Sequence, residues 1–73
     1  MRIASWNINH IRQRLSLLVD WLARTQPDVV ALQELKCPTA QFPEDALKAA
    51  GYACVFAGQR TWNGVALLAR GQE

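Results

Sequence analysis

Residues 27–36 read Pro27-Asp28-Val29-Val30-Ala31-Leu32-Gln33-Glu34-Leu35-Lys36, and the apolar run in their middle decides the fold class. Val29 to Leu32 contains no polar residue, the pattern of a strand covered on both faces. Pro27 has no amide hydrogen and disfavours a helical conformation at Gln26, so whatever precedes the run must end there. What precedes it carries Ile11, Leu15, Leu18 and Leu22 at i, i+4, i+7 and i+11, with Arg12, Gln13, Ser16, Asp20 and Arg24 placed elsewhere. That spacing predicts an amphipathic helix of about four turns. Leu17 and Trp21 form a flanking apolar pair, left to pack against something outside the chain. Further back, Met1 to Ile8 (MRIASWNI) suits a buried strand. Strand, helix and strand predict a βαβ unit, whose right-handed crossover makes the two strands parallel.

Downstream, Cys37 to Phe42 reads as a loop. Pro43-Glu44-Asp45 begins a short helix, with proline in the first turn and acids near the positive end of the helix dipole. Gly51 ends it. Tyr52 to Ala57 and Val65 to Ala69 follow as third and fourth strands, and Gly58 to Gly64, containing Asn63-Gly64, supplies the turn of a long hairpin. The order is β-α-β-α-β-β, an α/β fold with a mixed sheet, in which residues 1–73 form one partial domain. Gly71-Gln72-Glu73 comes straight after the fourth strand, which places that apolar strand at an open edge.

Composition narrows the class. A chain of 73 residues, 51% of them apolar and 19% charged, is core-forming material rather than a disordered segment. It buries only about 60% of its unfolded surface, so its stability is marginal. Eight Lys and Arg against six Asp and Glu give a net charge of +2, which tolerates a polyanionic partner without demanding one. Arg2, Arg12, Arg14 and Arg24 fit a solvated helix face. No apolar run approaches the ~20 residues of a membrane span, and no signal-peptide pattern follows Met1, so a cytoplasmic location is the expectation. Cys37 and Cys54 have neither C-x-x-C nor zinc-type spacing and read as reduced, inert thiols.

The chemistry-bearing residues fall at strand ends. Ligands of open α/β sheets bind outside the carboxyl ends of the parallel strands. Asn7 ends the first strand and Gln33-Glu34 the second. A carboxylate there suits Mg²⁺, which takes oxygen ligands and is commonly held by one or two carboxylates plus water and phosphate. An amide such as Asn7 can donate to a phosphate oxygen or orient a carboxylate. A purely structural reading stands beside this one: Glu34 pairs with Lys36, and Asn7 caps the following helix.

Three segments then carry a resemblance: Ser5-Trp6-Asn7-Ile8-Asn9, Pro27 to Lys36, and Gly58-Gln59-Arg60-Thr61-Trp62-Asn63-Gly64-Val65-Ala66-Leu67-Leu68. In this order and spacing, with Phe42-Pro43 between, they resemble the opening motifs of the exodeoxyribonuclease III/AP endonuclease family, within the endonuclease/exonuclease/phosphatase superfamily. The resemblance runs the length of the chain. It implies the N-terminal part of a four-layered α/β sandwich and Mg²⁺- or Mn²⁺-dependent hydrolysis of DNA phosphodiesters. The activities implied are abasic-site incision and 3′-end processing in base excision repair. It places Asn7 on the active-site asparagine and Glu34 on the metal-binding glutamate, so both are candidate catalytic and metal-site residues. The catalytic groups that it implies further along, a tyrosine, an Asp-x-Asn pair and an Asp-His pair, are not among these residues. The 73-residue chain is therefore expected to be inactive alone, with a further portion pairing at the open sheet edge.

Other aromatic and basic residues weigh less. His10 replaces a residue that is usually small in the family and reads as part of the first turn of the first helix rather than as a base. Trp6 reads as core, while Trp62 beside Arg60 is the one aromatic to consider for DNA contact, with a turn-packing role standing equally beside it. Two competing functions remain open here: a non-catalytic DNA-binding or interaction module, and a phosphatase acting on lipid or small-molecule phosphates. Nucleotide-binding glycine motifs of the G-x-G-x-x-G or Walker type are absent.

Overall fold

The computed structural model describes residues 1–58 and 64–71. Strand β1 (Ile3–Asn7) leads through a turn-rich segment to helix α1 (Leu15–Thr25), then strand β2 (Val29–Gln33). A short 3₁₀ turn (Thr39–Gln41) precedes helix α2 (Glu44–Ala49), and strands β3 (Tyr52–Gly58) and β4 (Gly64–Arg70) complete the order. The sheet runs β1-β2-β4-β3, with β1 and β2 parallel and β4 antiparallel to both its neighbours. The βαβ unit and the hairpin are thus as the sequence predicts.

The fourth strand is not at the edge. β4 lies inside the sheet, between β2 and β3, and the outer strands are β1 and β3. Its apolar run is the reason. Val65 to Ala69 has no polar residue with which to blunt an exposed ladder, and flanking strands satisfy its backbone on both sides.

Alternation splits the sheet into two unlike faces. Val30, Leu32, Ala66, Leu68 and Tyr52 point to one side and are buried with Leu18 and Leu22 of α1 and Leu47 of α2. Trp21 finds its partner within the chain, standing edge-on to Trp6 with ring centroids 5.6 Å apart, while Leu17 stays 52% exposed. Phe42 stacks on Phe56 at 4.0 Å and closes the α2 side. Among the described residues the opposite face carries no helix, and Ile3, Val55, Val65 and Leu67 lie exposed on it.

Helix α1 is shorter than its periodicity predicts. Asn9 (φ 49°) and His10 (φ 87°) are left-handed and cannot belong to a right-handed helix. The amides of Ile8, His10 and Ile11 instead donate to the carbonyls of Gln33, Glu34 and Leu35 at 3.0, 2.9 and 2.9 Å, which extends the β1–β2 pairing beyond the strands. Ile11 is still fully buried, so the helical spacing began one turn before the helix itself. His10 accordingly stands before α1 rather than in its first turn. At the far end, Gln26 adopts the left-handed cap (φ 47°) and donates to the Leu22 carbonyl at 2.9 Å, ending the helix before Pro27.

Candidate metal and phosphate site

The carboxyl ends of β1 and β2 continue into two loops that are zipped together by backbone hydrogen bonds. Of the five non-glycine residues with positive φ among those described, four sit in these loops: Asn9, His10, Glu34 (φ 54°) and Lys36 (φ 53°). Such conformations cost roughly 1–3 kcal/mol each and persist where the surroundings over-determine them. Leu35 supplies that constraint. It lies between Glu34 and Lys36, is fully buried, donates its amide to the Gly64 carbonyl at 3.2 Å and accepts from Ile11. A Cβ on Gly64 would come within 3.0 Å of the Leu35 Cβ, and Gly64 also holds φ at 120°, so glycine is needed there.

With Leu35 pinned inward, its neighbours turn outward. Asn7 Nδ2 donates to Glu34 Oε2 at 2.6 Å. Lys36 Nζ stands 3.8 Å from Glu34 Oε1 and donates to Asn9 Oδ1. The Glu34 side chain remains 43% exposed. The two residues singled out by sequence are therefore brought together on one rim. Of the structural alternative, the Glu34–Lys36 contact is present, but Asn7 caps no helix: the cap of α1 is Arg14, with no side-chain hydrogen bond.

Asn9 and Lys36 complete the cluster and were not singled out by sequence as site residues. Their signal is positional: each lies two residues beyond a candidate, in the loops that follow the paired parallel strands. Basic groups flank the rim. Arg14 Nε donates to the Asn9 carbonyl at 3.3 Å, and Arg12 donates to Gln41 Oε1 at 3.0 Å. His10 Nδ1 is buried without a hydrogen-bond partner, a poor position for taking a proton from water. Trp62 and Arg60 lie outside the described residues.

No three His, Cys, Asp or Glu side chains gather in a metal-holding group among the described residues. The rim donors are oxygens, namely the Glu34 carboxylate and the Asn7 and Asn9 amides. That set fits a hard divalent cation completed by water and substrate oxygens, and does not fit zinc of the structural type.

The sheet brings an amide and a carboxylate to face each other across two parallel strand ends, and the chain belongs to the endonuclease/exonuclease/phosphatase family, which it matches over residues 4–71. Within that family its relatives are exonuclease III and AP endonuclease proteins. It is 39% identical over 70 residues to exodeoxyribonuclease III of Haemophilus influenzae, covering 96% of this chain and 26% of that protein. Among solved structures, the 3′ phosphatase NExo from Neisseria, bound to a product DNA hairpin, matches with a TM-score of 0.92 and 44% identity, over 96% of this chain and 27% of that one. An AP endonuclease from Archaeoglobus fulgidus matches with a TM-score of 0.91 and 39% identity, over 94% and 27% of the two chains. The fold is thus the N-terminal part of that α/β architecture. The chain spans about a quarter of the length of these relatives.

Proposed function

We propose that this chain is the metal- and phosphate-facing N-terminal portion of a divalent-metal-dependent DNA phosphodiester hydrolase of the exodeoxyribonuclease III type, acting at abasic sites and 3′ ends. The observation that carries this reading is the 2.6 Å hydrogen bond from Asn7 Nδ2 to Glu34 Oε2 at the ends of adjacent parallel strands. Glu34 would hold Mg²⁺ or Mn²⁺, and such a cation, when bound, neutralises charge on the transferring phosphoryl oxygens. Asn7 fixes the orientation of the carboxylate, as partners of metal ligands do. Lys36 adds a positive charge beside it. Arg12 and Arg14, on the segment leading away from Asn7, would add positive charge toward the backbone phosphates of a DNA strand, an interaction that weakens with salt.

Among the described residues the cluster shows no group positioned to take a proton from attacking water, and hydrolysis needs one. The 73-residue chain alone therefore binds without turning over. A chimera tests the assignment: this chain replaces the 70 aligned residues of the Haemophilus influenzae enzyme, and metal-dependent incision of an abasic duplex is followed. Glu34→Gln is expected to lower the chimera's rate by about 100-fold or more, with metal affinity falling alongside. Full activity in the variant would remove Glu34 from the reaction. A relative bound to a DNA hairpin favours DNA over lipid or small-molecule phosphates as the substrate class.

A further inference from the structure

His10 is a residue that the proposed reaction leaves unused and that the backbone is poorly suited to hold. Its φ of 87° lies in a left-handed region that glycine enters freely and other residues rarely adopt. The chain path there has its own causes. The His10 amide donates to the Glu34 carbonyl at 2.9 Å and the Ile11 amide to the Leu35 carbonyl at 2.9 Å, while Ile8 and Ile11 on either side are fully buried. These constraints fix the backbone and make no use of a side chain at His10. A glycine would follow the same path without strain.

The imidazole adds a second unfavourable feature. Nδ1 is buried without a hydrogen-bond partner, and no described residue bonds to the ring through either nitrogen. Buried polar atoms are nearly always paired, and strained residues gather where ligands are met, so an orphan nitrogen on a strained backbone points to a partner outside the chain.

We propose that His10 is a substrate-contacting residue, whose Nε2–H donates to a phosphate oxygen of the DNA strand lying over the rim. This rests on the DNA-hydrolase reading above and adds a specific contact to it. A proton on Nδ1 would be a buried donor without an acceptor, so the neutral ring carries its proton on Nε2, the nitrogen that solvent reaches. The ring is half-buried, which restrains it and presents that one edge. Its place in the chain supplies the acceptor. On one side stand Asn7 and Glu34, and on the other Arg12 and Arg14, so a strand whose phosphates meet both groups passes His10. A hydrogen bond to an anionic oxygen is of the strong, charge-assisted kind.

The chimera described above tests this through two readouts, thermal unfolding and the anisotropy of a labelled abasic duplex in EDTA, where no turnover intervenes. His10→Gly should raise Tm by about 2–4 °C, through relief of strain and removal of the orphan nitrogen, and should weaken DNA binding by about tenfold or more. Gain in one and loss in the other is the signature of stability given up for function. Two further variants locate the donor. Gln places its amide nitrogen where the imidazole has Nε2, and Asn places its own where the imidazole has Nδ1. His10→Gln should therefore bind within about threefold of the parent, and His10→Asn as weakly as His10→Gly. Unchanged binding by His10→Gly, a lower Tm in that variant, or His10→Asn binding as well as His10→Gln would each overturn the proposal while leaving the hydrolase reading intact. A parent chimera that binds no abasic duplex would overturn both.

Discussion

The two ends of the sheet each carry a carboxylate between strands, and they use it differently. At the amino end of β2, Asp28 is saturated: Oδ2 accepts from the Arg2 amide at 2.7 Å and Oδ1 from Arg70 Nη2 at 2.8 Å. The Arg2 amide, and then the Arg70 guanidinium, hold its carboxyl below the usual carboxylate range. Tyr52 closes the same end by donating to the Pro27 carbonyl at 2.7 Å. At the carboxyl end, Glu34 takes one short hydrogen bond from Asn7 and keeps Lys36 at 3.8 Å, on a backbone bent into left-handed conformations. One carboxylate is committed to joining three strands. The other is held in place yet stays 43% exposed, which separates a structural ion pair from a candidate site.

That contrast can be broken experimentally. The largest effect belongs to the residue that constrains the rim: Leu35→Ala should cost about 2–5 kcal/mol in urea unfolding, enough to unfold much of a chain this small. Gly64→Ala should cost about 1–3 kcal/mol, through the forced φ and the collision with Leu35. A neutral result for either would mean that the loops are not over-determined as described.

At the other end, Asp28→Asn should lower Tm at neutral pH. The folded Asp28 pKa lies below its ordinary value of 3.8, so this stabilisation is complete above that value and is lost as pH falls through the folded pKa. The Tm difference between parent and variant should therefore vanish in acid, and a difference that persisted there would assign the effect to shape rather than charge.

Glu34→Gln should change stability by no more than about 0.5 kcal/mol, as for an exposed residue whose value is in binding. Destabilisation comparable to that of Asp28→Asn would erase the distinction between the two ends. The smallest effect concerns thiol chemistry. Burial, reinforced by Glu44, pushes the Cys54 thiol up to about 11, and burial also raises Cys37. Both are expected to alkylate slowly at neutral pH in the folded chain and readily in urea, as a thiol assay would read.

Most of the element order was legible because it rests on local rules. Pro27 ends a helix, Val29 to Leu32 reads as a buried strand, and Gly51 and Pro43 bracket α2 wherever they occur. The start of α1 was not legible. Ile11 has the spacing of a helical residue, and only the hydrogen bonds to Gln33, Glu34 and Leu35 show that its segment belongs to the strand pair. The place of β4 was likewise hidden, since a strand's neighbours across the sheet leave no mark in its own residues beyond their uniform apolarity.

For the rim, their place at the carboxyl ends of the apolar strands, together with the family resemblance, made Asn7 and Glu34 candidates, since polar residues at strand ends also have structural uses. Their 27-residue separation in the chain says nothing about distance, and parallel pairing with Asn7 opposite Gln33 had to bring them together. Asn9 and Lys36 became part of the cluster only through the left-handed turns that aim them at it. Composition and periodicity thus settled most of the strand and helix segments and named the candidate residues. Which strand stands beside which, and which side chains share a rim, was decided by long-range pairing and burial, which act between residues that no local pattern connects.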